Sequence, residues 1–296
     1  MSTPKGTLLL IGGAEDKEND RTKDLDMAFE NKEFKEFEIL RLMVPENSRK
    51  SQSIEVITTA TDVPDKIGAD YIEAFRKLGC KNIGTMNIEN REQARDKKLI
   101  KRIENADVVL FSGGKQFTLS TVLGCSPVVS AIFKKYKEDP DFIVAGTSAG
   151  AMVMSKTMLY EGHKTEALIK GDVRTTSGLG FIDNCIIDTH FIKRGRIVRL
   201  TQAILVNPSC TGIGLGEDTA VMITKGNKME CFGSGMVVIL DGDEVKHTNV
   251  SYAEDGYPLC VENITMHVLA KGNGFLLKER EFLPEKKVEN KQKSKK

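Results

Sequence analysis

The sequence predicts an α/β fold, a three-layer α/β/α sandwich with a mostly parallel central sheet between two layers of helices. Three observations carry this. Short runs nearly continuous in Val, Ile, Leu and Phe recur through the first two thirds of the 296 residues, as in strands buried on both faces. Longer amphipathic stretches separate them, the alternation of βαβ units. Midway along the chain, an apolar strand leads through G-x-S-x-G into small residues suited to start a helix.

The elements follow in order. Leu8 to Ile11, Ile54 to Ile57, Val108 to Phe111 and Phe142 to Val144 read as strands, with a further strand around Ile83 to Ile88. A helix is predicted from Asp65 to Leu78, because Ile67, Tyr71, Ala74 and Leu78 share one face and Gly79 follows as a stop. Arg91 to Glu104 repeats the pattern. After about residue 210 the texture becomes β-rich: Gly212 to Ile223, Glu230 to Leu240 and Met266 to Leu277 are punctuated by Gly-Asn, Asp-Gly and Gly-Asn-Gly turns. These segments read as antiparallel strands completing the same domain, which spans 1–284. Residues 285–296 hold six lysines and two glutamates without apolar periodicity and read as a solvated, disordered tail.

A composition of 40% hydrophobic and 29% charged residues excludes disorder as the main state. The net charge is +1, but the tail carries +4, so the body carries about −3. Nucleic acid is therefore not the expected partner. The run Leu8-Leu9-Leu10-Ile11 is too short for a membrane span or a secretory signal and runs into Gly12-Gly13. No membrane association and a cytoplasmic location are expected. The six cysteines have no close pair, which excludes a zinc knuckle or C-x-x-C motif and fits reduced, mostly buried thiols. No His, Cys, Asp or Glu cluster has ligand spacing, so neither metal nor cofactor is expected. Assembly as a homodimer is left open.

The chemistry concentrates at Phe142-Ile143-Val144-Ala145-Gly146-Thr147-Ser148-Ala149-Gly150-Ala151-Met152. A serine on so sharp a strand-to-helix turn projects its hydroxyl from the sheet, and glycines at −2 and +2 avoid the adjacent strand and helix. Ser148 is the candidate nucleophile, and the N–H of Ala149 would face an oxyanion. A serine nucleophile needs a base. Of the four histidines, His247 and His267 lie beside late turns and His163 in a polar segment, whereas His190 ends the strand-like run Cys185-Ile186-Ile187-Asp188-Thr189-His190. The end of a strand is where α/β sites assemble, so His190 is the candidate base. Two carboxylates compete to orient it, Glu217 after a short strand and Glu166 between the serine and the histidine. Phe111-Ser112-Gly113-Gly114-Lys115-Gln116 offers Gly114 as a second oxyanion donor and Gln116 as a substrate contact. Arg194, Arg196 and Arg199 follow His190, with Arg196 and Arg199 on one helix face, and suit a carboxylate-bearing ligand. Gly12-Gly13-Ala14-Glu15-Asp16 lacks the G-x-G-x-x-G spacing of a dinucleotide turn, and that reading is rejected.

With these residues in place, the sequence resembles the serine peptidase family of cyanophycinase and dipeptidase E. The resemblance runs through Leu8 to Lys17, Phe111 to Gln116, Gly146 to Ala151, Asp188-Thr189-His190-Phe191, Arg194 to Leu200 and Gly212 to Ala220, in one order over about 210 residues. It implies a fold like that of class I glutamine amidotransferases, with serine in place of their cysteine. It also implies cleavage of cyanophycin, a polyaspartate bearing arginine on each β-carboxyl, to β-aspartyl-arginine dipeptides. Ser148 matches the family nucleophile and His190 its base. Glu166 and Glu217 both match positions proposed for the acidic member or its surroundings. Gln116, Asp188 and the three arginines match substrate-binding positions. The sequence departs from the family at Lys115, Thr118, Thr189 and Gly216, all around the substrate. These departures put the exact substrate in question, with an aspartyl or isoaspartyl dipeptide as the alternative to cyanophycin; the rival classes are a non-peptidase α/β-hydrolase esterase and an inactive binding homologue.

Overall fold

The computed structural model describes residues 3–17, 34–162 and 168–285. A nine-stranded sheet forms the centre. Five adjacent strands are parallel: β1 (Thr7–Ile11), β2 (Ser53–Ile57), β3 (Asn82–Met86), β4 (Val108–Phe111) and β5 (Ile143–Thr147), in the order β1-β5-β4-β2-β3. Leu8, Leu9, Leu10 and Ile11 are all fully buried, as a strand covered on both faces requires. β6 (Thr157–Glu161) and β7 (Arg174–Ser177) form a separate antiparallel ribbon.

Helices cover both faces. α1 (Glu38–Met43) and α2 (Pro64–Lys77) share one apolar cluster with Leu9, Ile11, Ile54 and Val56. α3 (Lys97–Asn105), α4 (Gln116–Leu123) and α5 (Pro127–Glu138) share the opposite cluster with Leu8 and Leu10. Local chemistry sets the helix starts. Pro64 opens α2 with its fixed φ, Asp96 caps α3 by accepting from Lys98 N–H, and Ser126 caps α5 by accepting from Val129 N–H. The helix expected over Arg91 to Glu104 is divided by that Asp96 cap into a short 3₁₀ turn, Gln93–Arg95, and α3.

The second half differs from expectation in two ways. The main sheet is only partly parallel, because β10 (Thr219–Thr224), β11 (Lys228–Gly233), β16 (Gly274–Leu276) and β17 (Glu281–Leu283) extend it antiparallel from β1. The remaining strands leave it for a second sheet: β8 (Cys185–Asp188), β9 (Thr211–Leu215), β12 (Val237–Asp241) and β15 (Thr265–Leu269), ordered β15-β12-β9-β8, with β8 and β9 parallel. A small hairpin pairs β13 (His247–Thr248) with β14 (Val261–Glu262). One face of the second sheet packs into the α3–α5 cluster through Ile187, Ile213, Leu215 and Val237. The other face is covered by α6 (Ala149–Met152) and α7 (Ile197–Val206) through Met152, Leu200, Ala203 and Ile204. Among the described residues, no single helix is long and apolar enough to cross a membrane. The expected tail lies outside the described residues from 286 onward.

Candidate active site

The site forms where three neighbouring strands end together. Ile11 pairs with Thr147, and Phe111 with Gly146, so the segments after β1, β4 and β5 emerge side by side. Ser148 stands directly after β5 with φ 51° and ψ −115°, a left-handed conformation that non-glycine residues rarely adopt. The flanking glycines are required by space. A Cβ on Gly146 would lie 2.2 Å from the Gly150 carbonyl oxygen, and one on Gly150 would lie 2.1 Å from that of Phe111.

His190 and Glu217 arrive from the second sheet. His190 follows β8, and Glu217 lies in the crossover from β9 in that sheet to β10 in the main one. The imidazole Nε2 is 3.1 Å from Ser148 Oγ, and Nδ1 is 2.6 Å from Glu217 Oε1. A carboxylate only accepts, so the ring proton sits on Nδ1 and leaves Nε2 to accept from the serine hydroxyl. Burial alone would push the Glu217 carboxyl up. The hydrogen bonds from His190 and Lys193, with the Lys193 charge, outweigh it and hold the group below the ordinary glutamate range. Lys193 Nζ is 3.2 Å from Glu217 Oε2. Ser148, His190 and Glu217 thus form one hydrogen-bonded chain, an arrangement able to deprotonate the serine and stabilise the resulting imidazolium. Glu166, the competing carboxylate, and His163 lie outside the described residues.

The remaining candidates are distributed around this chain. Ala149 opens α6, where the N–H groups of a first helical turn lack intrahelical partners. Of the glycine pair, Gly113 lies against Ser148, while a Cβ on Gly114 would strike the Ala60 carbonyl. Gln116 starts α4, and its amide donates to the carbonyls of Leu159 and Tyr160 at 3.5 and 3.3 Å, which ties α4 to β6. Arg194 is exposed, and no ion pair or hydrogen bond engages its guanidinium among the described residues.

Asp188, Arg196 and Arg199, expected at the substrate, are bonded to one another. Asp188 is fully buried at the end of β8. Its Oδ1 accepts from Arg196 Nη1 at 3.0 Å, from Arg199 Nη2 and from Thr189 N–H, and its Oδ2 accepts from Arg199 Nε at 2.6 Å. A buried aspartate needs such neutralisation, so the two guanidiniums turn inward onto it. Arg196 caps α7 rather than lying within it, and it also donates to Thr189 O at 2.7 Å. Burial pushes Arg196 down to about 10, against the opposing pull of Asp188, and leaves it protonated at neutral pH. The cluster braces the segment that presents His190.

Sequence reasoning passed over Glu15 and Gly13. Glu15 is buried directly beneath the elbow, where Oε2 accepts from Thr147 Oγ1 at 2.7 Å and Oε1 from the Tyr71 hydroxyl and from Lys17 Nζ at 3.2 Å. A Cβ on Gly13, whose φ is 100°, would lie 2.6 Å from His190 Nε2. The Gly-Gly pair after β1 was the available signal, since paired glycines after a strand mark a close approach. Among the described residues, no group of three or more His, Cys, Asp or Glu side chains is gathered as a metal site. All six cysteines are free, four buried and two (Cys125 and Cys260) exposed.

The chain is a hydrolase of peptidase type on an α/β fold. The chain belongs to peptidase family S51, whose model matches residues 8–230. It is 33% identical over 287 residues to the cyanophycinase of Trichormus variabilis (strain ATCC 29413 / PCC 7937), covering 96% of this chain and 91% of that protein. It is 30% identical over 274 residues to the cyanophycinase of Synechococcus elongatus, covering 93% and 80%. The crystal structure of a peptidase from an acI-B1 Actinobacterium has the same fold, with a TM-score of 0.62 at 19% identity, covering 94% of this chain and 99% of that one.

Proposed function

We propose that this peptidase is a cytoplasmic serine exopeptidase that hydrolyses cyanophycin to β-aspartyl-arginine dipeptides through an acyl-enzyme on Ser148. The observation that carries the reading is the chain Ser148–His190–Glu217, with contacts of 3.1 and 2.6 Å, on a strained elbow. The cyanophycinase relatives, matched over nearly the whole chain, support the substrate.

In this mechanism Ser148 Oγ attacks the scissile carbonyl as its proton passes to His190 Nε2, and Glu217 stabilises the imidazolium. The oxyanion takes hydrogen bonds from Ala149 N–H and from the Gly113–Gly114 segment. The C–N bond breaks as the imidazolium returns the proton to the leaving amine. Water, deprotonated by the same ring, then attacks the ester and releases the free serine and a product carboxylate. Arg194 supplies a guanidinium for a substrate carboxylate. No metal or cofactor enters any step.

Incubation with purified cyanophycin and mass analysis of the products tests this. β-Aspartyl-arginine should appear with the wild type and not with Ser148→Ala. Release of nothing from the polymer, with turnover of aspartyl or isoaspartyl dipeptides, would move the substrate to that class and keep the chemistry.

A further inference from the structure

The last residue of β1 and the two that follow it touch every member of the Ser148–His190–Glu217 chain or its immediate neighbour. Three consecutive carbonyls accept backbone N–H groups from distant parts of the molecule. Ile11 O takes Ser148 N–H at 2.9 Å, Gly12 O takes His190 N–H at 2.9 Å, and Gly13 O takes Asp218 N–H, next to Glu217, at 3.0 Å. The nucleophile, the imidazole-bearing residue and the neighbour of the carboxylate are thus registered on one short stretch of main chain. Gly13 also lies against the imidazole, so displacement of this stretch would move the ring directly.

One carboxylate anchors the stretch. Glu15 is 2% exposed, and its burial would be costly unless every oxygen were engaged. Its donors come from three places: the hydroxyl of Tyr71 on α2, the ammonium of Lys17, and the hydroxyl of Thr147, which immediately precedes Ser148. Burial pushes the Glu15 carboxyl up, but Lys17 and the two hydroxyl donors outweigh this and keep it below the ordinary glutamate range, hence ionised. The charge lies behind the serine, bonded to the residue that leads into the strained elbow.

We propose that Glu15 is a positioning residue for the reaction: by gripping Thr147 it locks the stretch from Ile11 to Glu15 against β5 and so sets the Ser148–His190 distance. The proposal rests on Ser148 being the nucleophile. Glu15 contacts neither the reacting hydroxyl nor the imidazole, so its effect falls on the geometry of attack rather than on substrate binding.

The test uses a fluorophosphonate probe, which reports nucleophile activation without a substrate, together with steady-state kinetics on cyanophycin and thermal melting. Glu15→Gln should slow Ser148 labelling and lower kcat by about ten- to a hundredfold, the range for a misplacement near 1 Å, with KM within about twofold. Thr147→Val, which removes one hydroxyl at nearly constant shape, should act in the same direction. Thr147→Ser, which returns the hydroxyl, should restore most of the labelling rate, and this pair decides the matter should Glu15→Gln fail to fold. A folded Glu15→Gln labelled at the wild-type rate overturns the proposal, as does a change confined to KM or a Thr147→Ser variant no better than Thr147→Val. Labelling that survives Ser148→Ala would instead overturn the nucleophile assignment, and this proposal with it.

Discussion

Lys193 Nζ lies 3.2 Å from Glu217 Oε2, on the carboxylate oxygen opposite the one that meets His190. The two contacts differ in surroundings. The lysine side chain is 61% exposed, whereas the imidazole is 14% exposed. A solvated ion pair contributes about 0–1 kcal/mol. Lys193→Met is therefore expected to lower kcat by less than about tenfold. Glu217→Gln keeps the shape but removes the charge that stabilises the imidazolium, and should cost about a hundredfold or more. Steady-state rates of the two variants, measured together, check the order; a larger loss at Lys193 would make the lysine part of the catalytic chain.

Asp188 is expected to behave as a support. Replacing it by Ala would leave Arg196 and Arg199 largely buried without their counter-charge, and breaking such a cluster costs about 3–5 kcal/mol. Urea denaturation should show that loss as a lower midpoint. An unchanged midpoint with a raised KM would return Asp188 to the substrate.

Arg194 gives the opposite expectation. Its guanidinium is exposed and meets no partner among the described residues, so Arg194→Ala should leave the melting temperature within about 2 °C. KM for a carboxylate-bearing substrate should rise about tenfold, the loss of one charge-assisted hydrogen bond. Melting curves and KM on the same preparation separate the two arginine roles.

Acid sensitivity should trace to Glu15. Its carboxyl is held below the ordinary value of 4.5, so the unfolded chain binds the proton more tightly than the fold does. The resulting stability is fully present above 4.5 and is lost as pH falls through the lower folded value. Between about pH 5 and pH 3 the wild-type melting temperature should therefore fall more steeply than that of Glu15→Gln. Parallel curves would show that other carboxylates govern acid unfolding.

The parts of the molecule readable from sequence are those whose burial is set locally. β1, β4 and β5 are covered on both faces and appear as apolar runs, and the elbow glycines follow from steric rules that hold in any such turn. The second sheet was not readable. Gly212 to Ile223 reads as one β-rich stretch, yet it carries the chain from one sheet to another, and alternation of apolar residues does not say which sheet a strand joins. The Asp188–Arg196–Arg199 cluster was unreadable for a related reason: sequence shows the charges but not that they face each other. Glu15 escaped notice because its two hydroxyl partners, Tyr71 and Thr147, lie 56 and 132 residues away.

The crossover that carries Glu217 gives the site a sensitivity to assembly. Ser148 belongs to one sheet, His190 to the other, and the core between them must close before their side chains meet. Those contacts are far apart in sequence, so the loop-closure entropy must be met before they form. A partly folded or loosened chain, even one rich in native strands, therefore holds an unarmed serine.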